Sequence, residues 1–214
     1  MGWGAETMAS SNTEIANLAL SHLGNGKEIA DLDTENSTEA RAVRRFYDVA
    51  REATLSDFAW PFATKYQTLA LVSQQGDAGH ITDDYRYSYR YPTDCLMLRR
   101  IRSFTRDDNR QTRIEYKIAQ DAQGQLILTD EPVATVEFTI LIDQESRYPA
   151  DFVLALSLRI AAYIAPQLTK GDPFKMGDRA LALYMRQIGD AQSSATNEEQ
   201  PAENAESEYI RARY

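Results

Sequence analysis

Cysteine is almost missing from this chain. Cys95 is the one cysteine in 214 residues, so no internal disulfide can form and a reducing compartment is expected. Histidine is nearly as scarce: His22 and His80 are the only two, and neither has the neighbours that zinc-ligand spacing requires. Bases are outnumbered by acids, 23 against 32, which leaves a net charge of −9 and a pI near 4.8. A protein that reads nucleic-acid sequence normally carries a basic face, and this balance argues against one. The sequence shows no unbroken apolar run of about eighteen residues, so no membrane span is expected. Its opening, MGWGAETMASS, has neither the basic start nor the apolar core of a secretory signal, and Met8 is a second candidate start. A soluble cytoplasmic product is the expectation. What is present is ordinary in bulk: 43% hydrophobic and 26% charged, enough for one large domain or two small ones.

The stretch 38–66 organises the rest. Val43, Phe46, Tyr47, Ala50 and Phe58 recur at helical spacing, with Arg41, Arg44, Arg45, Asp48, Arg51 and Glu52 opposite them. Asn36 with Glu39 three residues on predicts a capping box at the start. Pro61 stops the helix, because it has no N–H to donate and pushes Trp60 towards extended geometry. The knot Phe58-Ala59-Trp60-Pro61-Phe62 then falls at a helix-to-strand corner and reads as core. A shorter helix over 12–23 precedes it, capped by Ser11 and Glu14, striped by Ile15, Leu18, Ala19 and Leu23, and stopped at Gly24.

Beyond the knot the period changes to alternation. Residues 63–72 predict one strand, followed by a loose loop at 73–80. Over 85–91, Tyr85, Tyr87, Tyr89 and Tyr91 face one way and Arg86, Ser88 and Arg90 the other, as in a half-buried strand. Further strands are predicted at 95–104 and 133–142, with a turn at 106–111 and a hairpin pairing 113–119 with 125–129. The helical period returns over 150–168, apolar on most of its circumference and closed by Pro166. Asp172 and Pro173 open a last helix that runs to about Ala191, with Phe174, Leu181, Leu183, Tyr184 and Ile188 as apolar contacts. The predicted class is α+β. Residues 1–11 form a flexible N-terminus; 12–60 and 146–191 a helical bundle of two N-terminal and two C-terminal helices; 61–145 an inserted antiparallel β region; and 192–214 an extended C-terminal arm.

That arm begins SSATNEEQPAENAESE, with five glutamates and no large apolar residue, a composition that does not fold alone. It then turns apolar and basic through Tyr209, Ile210, Arg211, Ala212, Arg213 and Tyr214. A polar spacer that leads to aromatic anchors reads as a segment that orders on a partner.

Catalytic patterns are missing or broken. His22 lies in the last turn of the first helix, where it suits the negative end of the dipole. No G-x-S-x-G elbow occurs, and Cys95 opens a strand beside Leu96 and Met97, a setting for a small buried side chain. Asp31, Asp33 and Glu35 begin like a calcium loop, but Asn36 stands where glycine is needed and Ala42 where the last carboxylate belongs. Gly24-Asn25-Gly26-Lys27 follows a helix, not a strand, and reads as a helix cap rather than a phosphate loop. Two alternative functions stay open: a nucleic-acid-binding module stacking bases on the Tyr/Arg strand, and a cell-wall polysaccharide hydrolase with a carboxylate pair. No catalytic residue, cofactor or metal site is assigned, and the chain is not expected to be an enzyme.

In their order along the chain, ALSHLG, the DLD-T segment, EARAVRRFYDVARE, FAWPFATK, YRYPTDCLML, LILTDE and DFVLALSLRIAAYIAPQLTKGD resemble the head-to-tail adaptor family of short-tailed bacteriophages, also called tail tubular protein A. The likeness covers residues 13–191, with Phe46, Tyr47, Phe58, Trp60 and Phe62 as its core signature. It implies a structural virion protein: a ring of about twelve subunits between the portal protein and the tail nozzle protein, lining the DNA channel. Such a protein is assembled in the host bacterial cytoplasm and ends in the neck of the virion. The resemblance implies that the helices dock on the portal, the sheet region faces the nozzle, and the C-terminal segment with Tyr209, Ile210, Arg211, Arg213 and Tyr214 reaches into the portal. Arg99, Arg100 and Arg102 are the densest basic cluster of the sheet and are candidates for contacts between subunits or with the nozzle. No cofactor and no membrane enter this picture. DNA passes without specific binding, along a lumen that the acidic total predicts to be negative.

Overall fold

A computed structural model describes residues 11–103, 114–169 and 172–198. Among them the chain is α+β, with four α-helices and two antiparallel sheets. Helix α1 (Asn12–His22) starts in the predicted capping box: the Ser11 hydroxyl accepts from the Glu14 N–H, and the Glu14 carboxylate accepts from the Ser11 N–H. It ends in a Schellman turn, with the Asn25 N–H donating to Leu20 C=O, the Gly24 N–H to Ser21 C=O, and Gly24 at φ +70°. The buried face is Ile15, Ala16, Ala19 and Leu20; Leu18 falls outside it and is 40% exposed.

Helix α2 (Thr38–Asp57) is capped by Ser37 rather than Asn36. The Ser37 hydroxyl accepts from the Ala40 N–H, and Glu39 is drawn to Lys27 at 2.8 Å instead of closing a box. Helix α3 (Ala150–Leu168) is the central element, packed against α1, α2 and α4 (Pro173–Glu198). Contrary to the expectation from unbroken runs, α3 is long and apolar enough to cross a membrane, with a mean hydropathy of 1.3. Asp151 and Arg159 interrupt the apolar run without lowering its average far, and 56% of the window is buried against the rest of the fold, as in a core helix. Helix α3 ends at Leu168 as expected, with Pro166 in its last turn.

Helix α4 opens at Asp172 as expected, its carboxylate accepting from the Lys175 N–H at 3.2 Å. It then runs past Ala191 to Glu198, so residues 192–198 of the expected arm are helical. Its contact face is also different. Tyr184 and Ile188 are buried with the small residues Ala180 and Ala191, whereas Phe174, Leu181 and Leu183 point outwards at 73%, 43% and 42% exposure. Gly177 belongs to the close-approach face, since a Cβ there would meet Ala162 C=O at 3.4 Å. Small residues let α4 sit close on α3, and the larger apolar ones are left on its flanks.

The β region is two sheets rather than one. Strands β1 (Thr64–Thr68), β7 (Ala134–Ile140) and β4 (Cys95–Ser103) form the first, in the order β1-β7-β4. Strands β2 (Leu71–Gln74), β3 (Tyr87–Arg90), β6 (Gly124–Thr129) and β5 (Tyr116–Asp121) form the second, in the order β2-β3-β6-β5. The single strand expected at 63–72 is therefore a 3-10 turn (Pro61–Ala63) and two strands in different sheets. The crossing residue Leu69 is buried in the shared core with Tyr89, Leu98, Ile127, Val136 and Phe138. Strand β3 is not half-exposed either. Tyr89 is buried and donates to Glu131 C=O, while Ser88 is buried on the other face against Ser73.

Candidate functional site

The knot is the joint between helices and sheets. Phe58 ends α2 in extended geometry, and Trp60-Pro61 turns the chain through the 3-10 turn into β1. Trp60 is 2% exposed, and its Nε1–H donates to Thr54 C=O at 2.8 Å. Its ring stands edge-on to Phe58 and Phe152, with centroids 5.0 and 5.1 Å away. Phe62 packs on Phe152 and Tyr148. Phe46 lies against Tyr163 at 5.7 Å, and Tyr47 is buried, with its phenol pushed up chiefly by burial. All five signature aromatics thus belong to one core, Phe46, Phe58 and Phe62 at its margin.

Arg99 reaches across from β4 to clamp this joint. Its Nη2 donates to Leu55 C=O at 2.9 Å and Phe58 C=O at 2.8 Å, and its Nε donates to Thr139 Oγ1 at 2.8 Å. Carbonyls at the end of a helix lack intrahelical donors, and a cation there also suits the dipole. Arg99 is half-buried and its guanidinium is bonded within the subunit. Arg100 and Arg102 both reach Glu137, at 2.6 and 3.3 Å, and keep 45% and 39% side-chain exposure. Strict alternation would put Arg99 and Arg100 on opposite faces. A register shift between Leu98 and Arg100 lets both act beside β7, to Thr139 and Glu137.

A cleft opens where the end of α4 passes the knot. About 470 Å³ is lined by Phe58, Pro61, Tyr66 and Glu137 on one side and Gln192 and Thr196 on the other. A second hollow of 210 Å³ shares Phe58, Pro61 and Ala195 with it and adds Phe62, Pro149 and Asp151. The larger volume falls within the range of about 300–1,000 Å³ typical of ligand sites. Its walls mix Phe58, Pro61 and Tyr66 with the polar Thr64, Glu137, Gln192 and Thr196, and include no histidine or cysteine. Sequence reasoning missed it because the arm was expected to begin at residue 192, where α4 in fact continues.

The reactive side chains are tied into the fold. His22 Nε2 lies 3.1 Å from Ser157 Oγ, and burial lowers its pKa. A neutral ring gains little from a helix dipole, so its role is packing and hydrogen bonding rather than the expected charge effect. His80 donates from Nε2 to Tyr85 C=O at 2.8 Å, which leaves Nδ1 to accept the Ser73 hydroxyl at 2.9 Å. That pair has a serine and a base in contact, but its third member is a backbone carbonyl, and the arrangement pins the β2–β3 connection. The Cys95 thiol donates to Tyr91 Oη at 3.1 Å, and burial pushes its pKa up, away from thiolate character. Asp31 accepts from its own loop, from the Asp33 N–H and the Thr34 hydroxyl, and Glu35 from the Ala30 N–H. Among the described residues no group of three or more His, Cys, Asp or Glu is placed to hold a metal ion.

A further cluster was not foreseen. Asp57 on α2 accepts from Arg159 on α3 and from the Tyr184 hydroxyl on α4, and Arg159 also donates to Tyr163 and Tyr184. The signal was one arginine in an otherwise apolar helix, a residue that must find partners when it is half-buried. The predicted arm residues Tyr209, Ile210, Arg211, Arg213 and Tyr214 lie outside the described residues. In comparisons with known proteins, no family model matches the chain and no curated protein matches it.

Proposed function

We propose that this chain is a structural assembly protein, a head-to-tail adaptor that joins a phage portal to its tail nozzle, and not an enzyme. One observation carries the reading. The imidazole and thiol groups of the described residues are consumed in holding the fold, while helix α4 displays apolar side chains the fold does not use. Phe174, Leu181 and Met185 are 73%, 43% and 62% exposed, and their spacing puts them within about 40° of one another around the helix. Exposed apolar stripes of this kind mark contact with another macromolecule. The ordered sequence resemblance supplies the identity of that macromolecule. On this reading the helices form a bundle that docks on the portal, the two sheets face the nozzle, and a ring of about twelve copies surrounds the DNA channel.

Arg100 and Arg102, which keep 45% and 39% side-chain exposure while paired with Glu137, are the candidates for contacts between subunits or with the nozzle. Tyr209, Ile210, Arg211, Arg213 and Tyr214 are the arm that enters the portal. The net charge of −9 per copy keeps the channel from binding the duplex it conducts. The base-stacking alternative is weakened, since the Tyr89 ring is buried.

The test is co-sedimentation with portal rings of the full chain and of a chain ending at Glu198, the end of α4. The full chain is expected in the pellet. The shortened chain is expected to stay in the supernatant while remaining folded by circular dichroism. Equal sedimentation of both removes the arm's role, and no sedimentation of the full chain removes the adaptor reading.

A further inference from the structure

We propose that the cleft between α4 and the knot is a docking site for this chain's own residues 209–214. The first support is position. Gln192 and Thr196 form one wall, and the described part of α4 reaches Glu198, two residues beyond Thr196. From Ala191 to Glu198 the helix advances only about 10 Å, whereas the ten residues 199–208 can span up to about 33 Å when extended. The segment that follows them can therefore return to the cleft with slack to spare.

Chemistry is the second support. Residues 199–208 carry four glutamates, one proline and no large apolar side chain, a composition suited to a connecting spacer. The next six residues hold Tyr209, Ile210 and Tyr214 with Arg211 and Arg213 and no acid. The two adjoining hollows are walled by Phe58, Pro61, Phe62 and Tyr66, and their only charged lining residues are Glu137 and Asp151. Glu137 is already bridged by Arg100 and Arg102. Asp151 receives a 3.4 Å bond from Gln187, which leaves its carboxylate to pair with an arginine of the tail. The tail's aromatic anchors suit Phe58, Phe62 and Tyr66, and one of its arginines suits Asp151.

Tethering makes even a weak contact effective. A tether of about ten residues keeps the six residues at roughly millimolar effective concentration near the cleft. The inference does not rest on the adaptor reading. If that reading is right, a portal has to draw the same aromatics out of the cleft, and docking becomes coupled to release of the arm.

The experiment uses the full chain alone, with Tyr214→p-benzoylphenylalanine as a photo-crosslinker and mass spectrometric mapping of the products. Crosslinks are expected within one chain, to peptides containing residues 58–66 or 149–151, with a yield unchanged on about tenfold dilution. Asp151→Asn is expected to lower that yield about two- to fivefold, the worth of one exposed ion pair. Crosslinks between chains whose yield falls on dilution, crosslinks to other surfaces, or none at all would overturn the proposal. An unchanged yield in Asp151→Asn would overturn the role given to that carboxylate. Portal sedimentation is scored separately, so either reading can fail while the other stands.

Discussion

Truncating Trp60 to alanine separates a joint from a contact surface. The indole is 2% exposed and is packed edge-on against Phe58 and Phe152, so its removal leaves a cavity that neighbouring aromatics cannot close. Buried Trp→Ala changes cost about 3–5 kcal/mol. The change also strips the donor from Thr54 C=O, in a residue that is itself fully buried. For a chain of this size each kcal/mol shifts the melting temperature by about 2–4 °C, so a fall of about 6–20 °C is expected. Trp60→Phe keeps a ring in place and loses the Nε1–H donor, and its cost should be nearer 1–2 kcal/mol. Urea unfolding followed by far-UV circular dichroism measures both, because the signal does not depend on the indole. Portal sedimentation of the surviving folded protein should be unchanged. A Trp60→Ala chain that melts within a few degrees of the parent and yet no longer sediments with the portal would refute the reasoning, since the knot would then be a contact surface.

Other expectations follow from single side chains. Arg99→Met leaves Leu55 C=O and Phe58 C=O without their donor and should cost about 2–4 kcal/mol in urea unfolding, with hydrogen exchange rising first at the α2–β1 corner. Burial lowers the pKa of His22, so the unfolded chain binds a proton that the folded chain refuses. Stability should therefore fall as pH drops below about 6.5 and level off below the folded pKa, and His22→Gln should flatten that part of a urea-midpoint profile. Arg90 grips Asp121 through two 2.9 Å bonds and lowers its carboxyl to about 2. That tie between β3 and β5 holds above about pH 4 and is lost as pH falls through the folded value, so Asp121→Asn should remove the corresponding acid limb from hydrogen-exchange profiles of β5 and β6.

Much of the helical half could be read from the chain because its signals are local. Ser11, Glu14 and Gly24 write both ends of α1, and Asp172 with Pro173 writes the start of α4. Element boundaries failed where two candidate caps adjoin, as with Asn36 and Ser37, or where no stop residue follows, as beyond Ala191. The split into two sheets was hidden because Leu69 and Ala70 continue an extended pattern while the chain changes partners, and pairing is a long-range property. On α4 the largest apolar side chains were expected inside. Tyr184 and Ile188 are buried as expected, but Ala180 and Ala191 take the places expected of Phe174, Leu181 and Leu183. The clamp by Arg99 could not be seen in sequence at all, for it depends on a register shift in β4 and on a helix end more than forty residues earlier in the chain.

Electron microscopy of the full chain incubated with the portal ring of the same phage tests the adaptor proposal most directly. The account predicts a second ring of about twelve subunits stacked on the portal, its helices towards the portal and its sheets away from it, around a lumen that is net negative. Portal rings that remain bare at saturating chain, or a stacked ring with a net basic lumen, would contradict it.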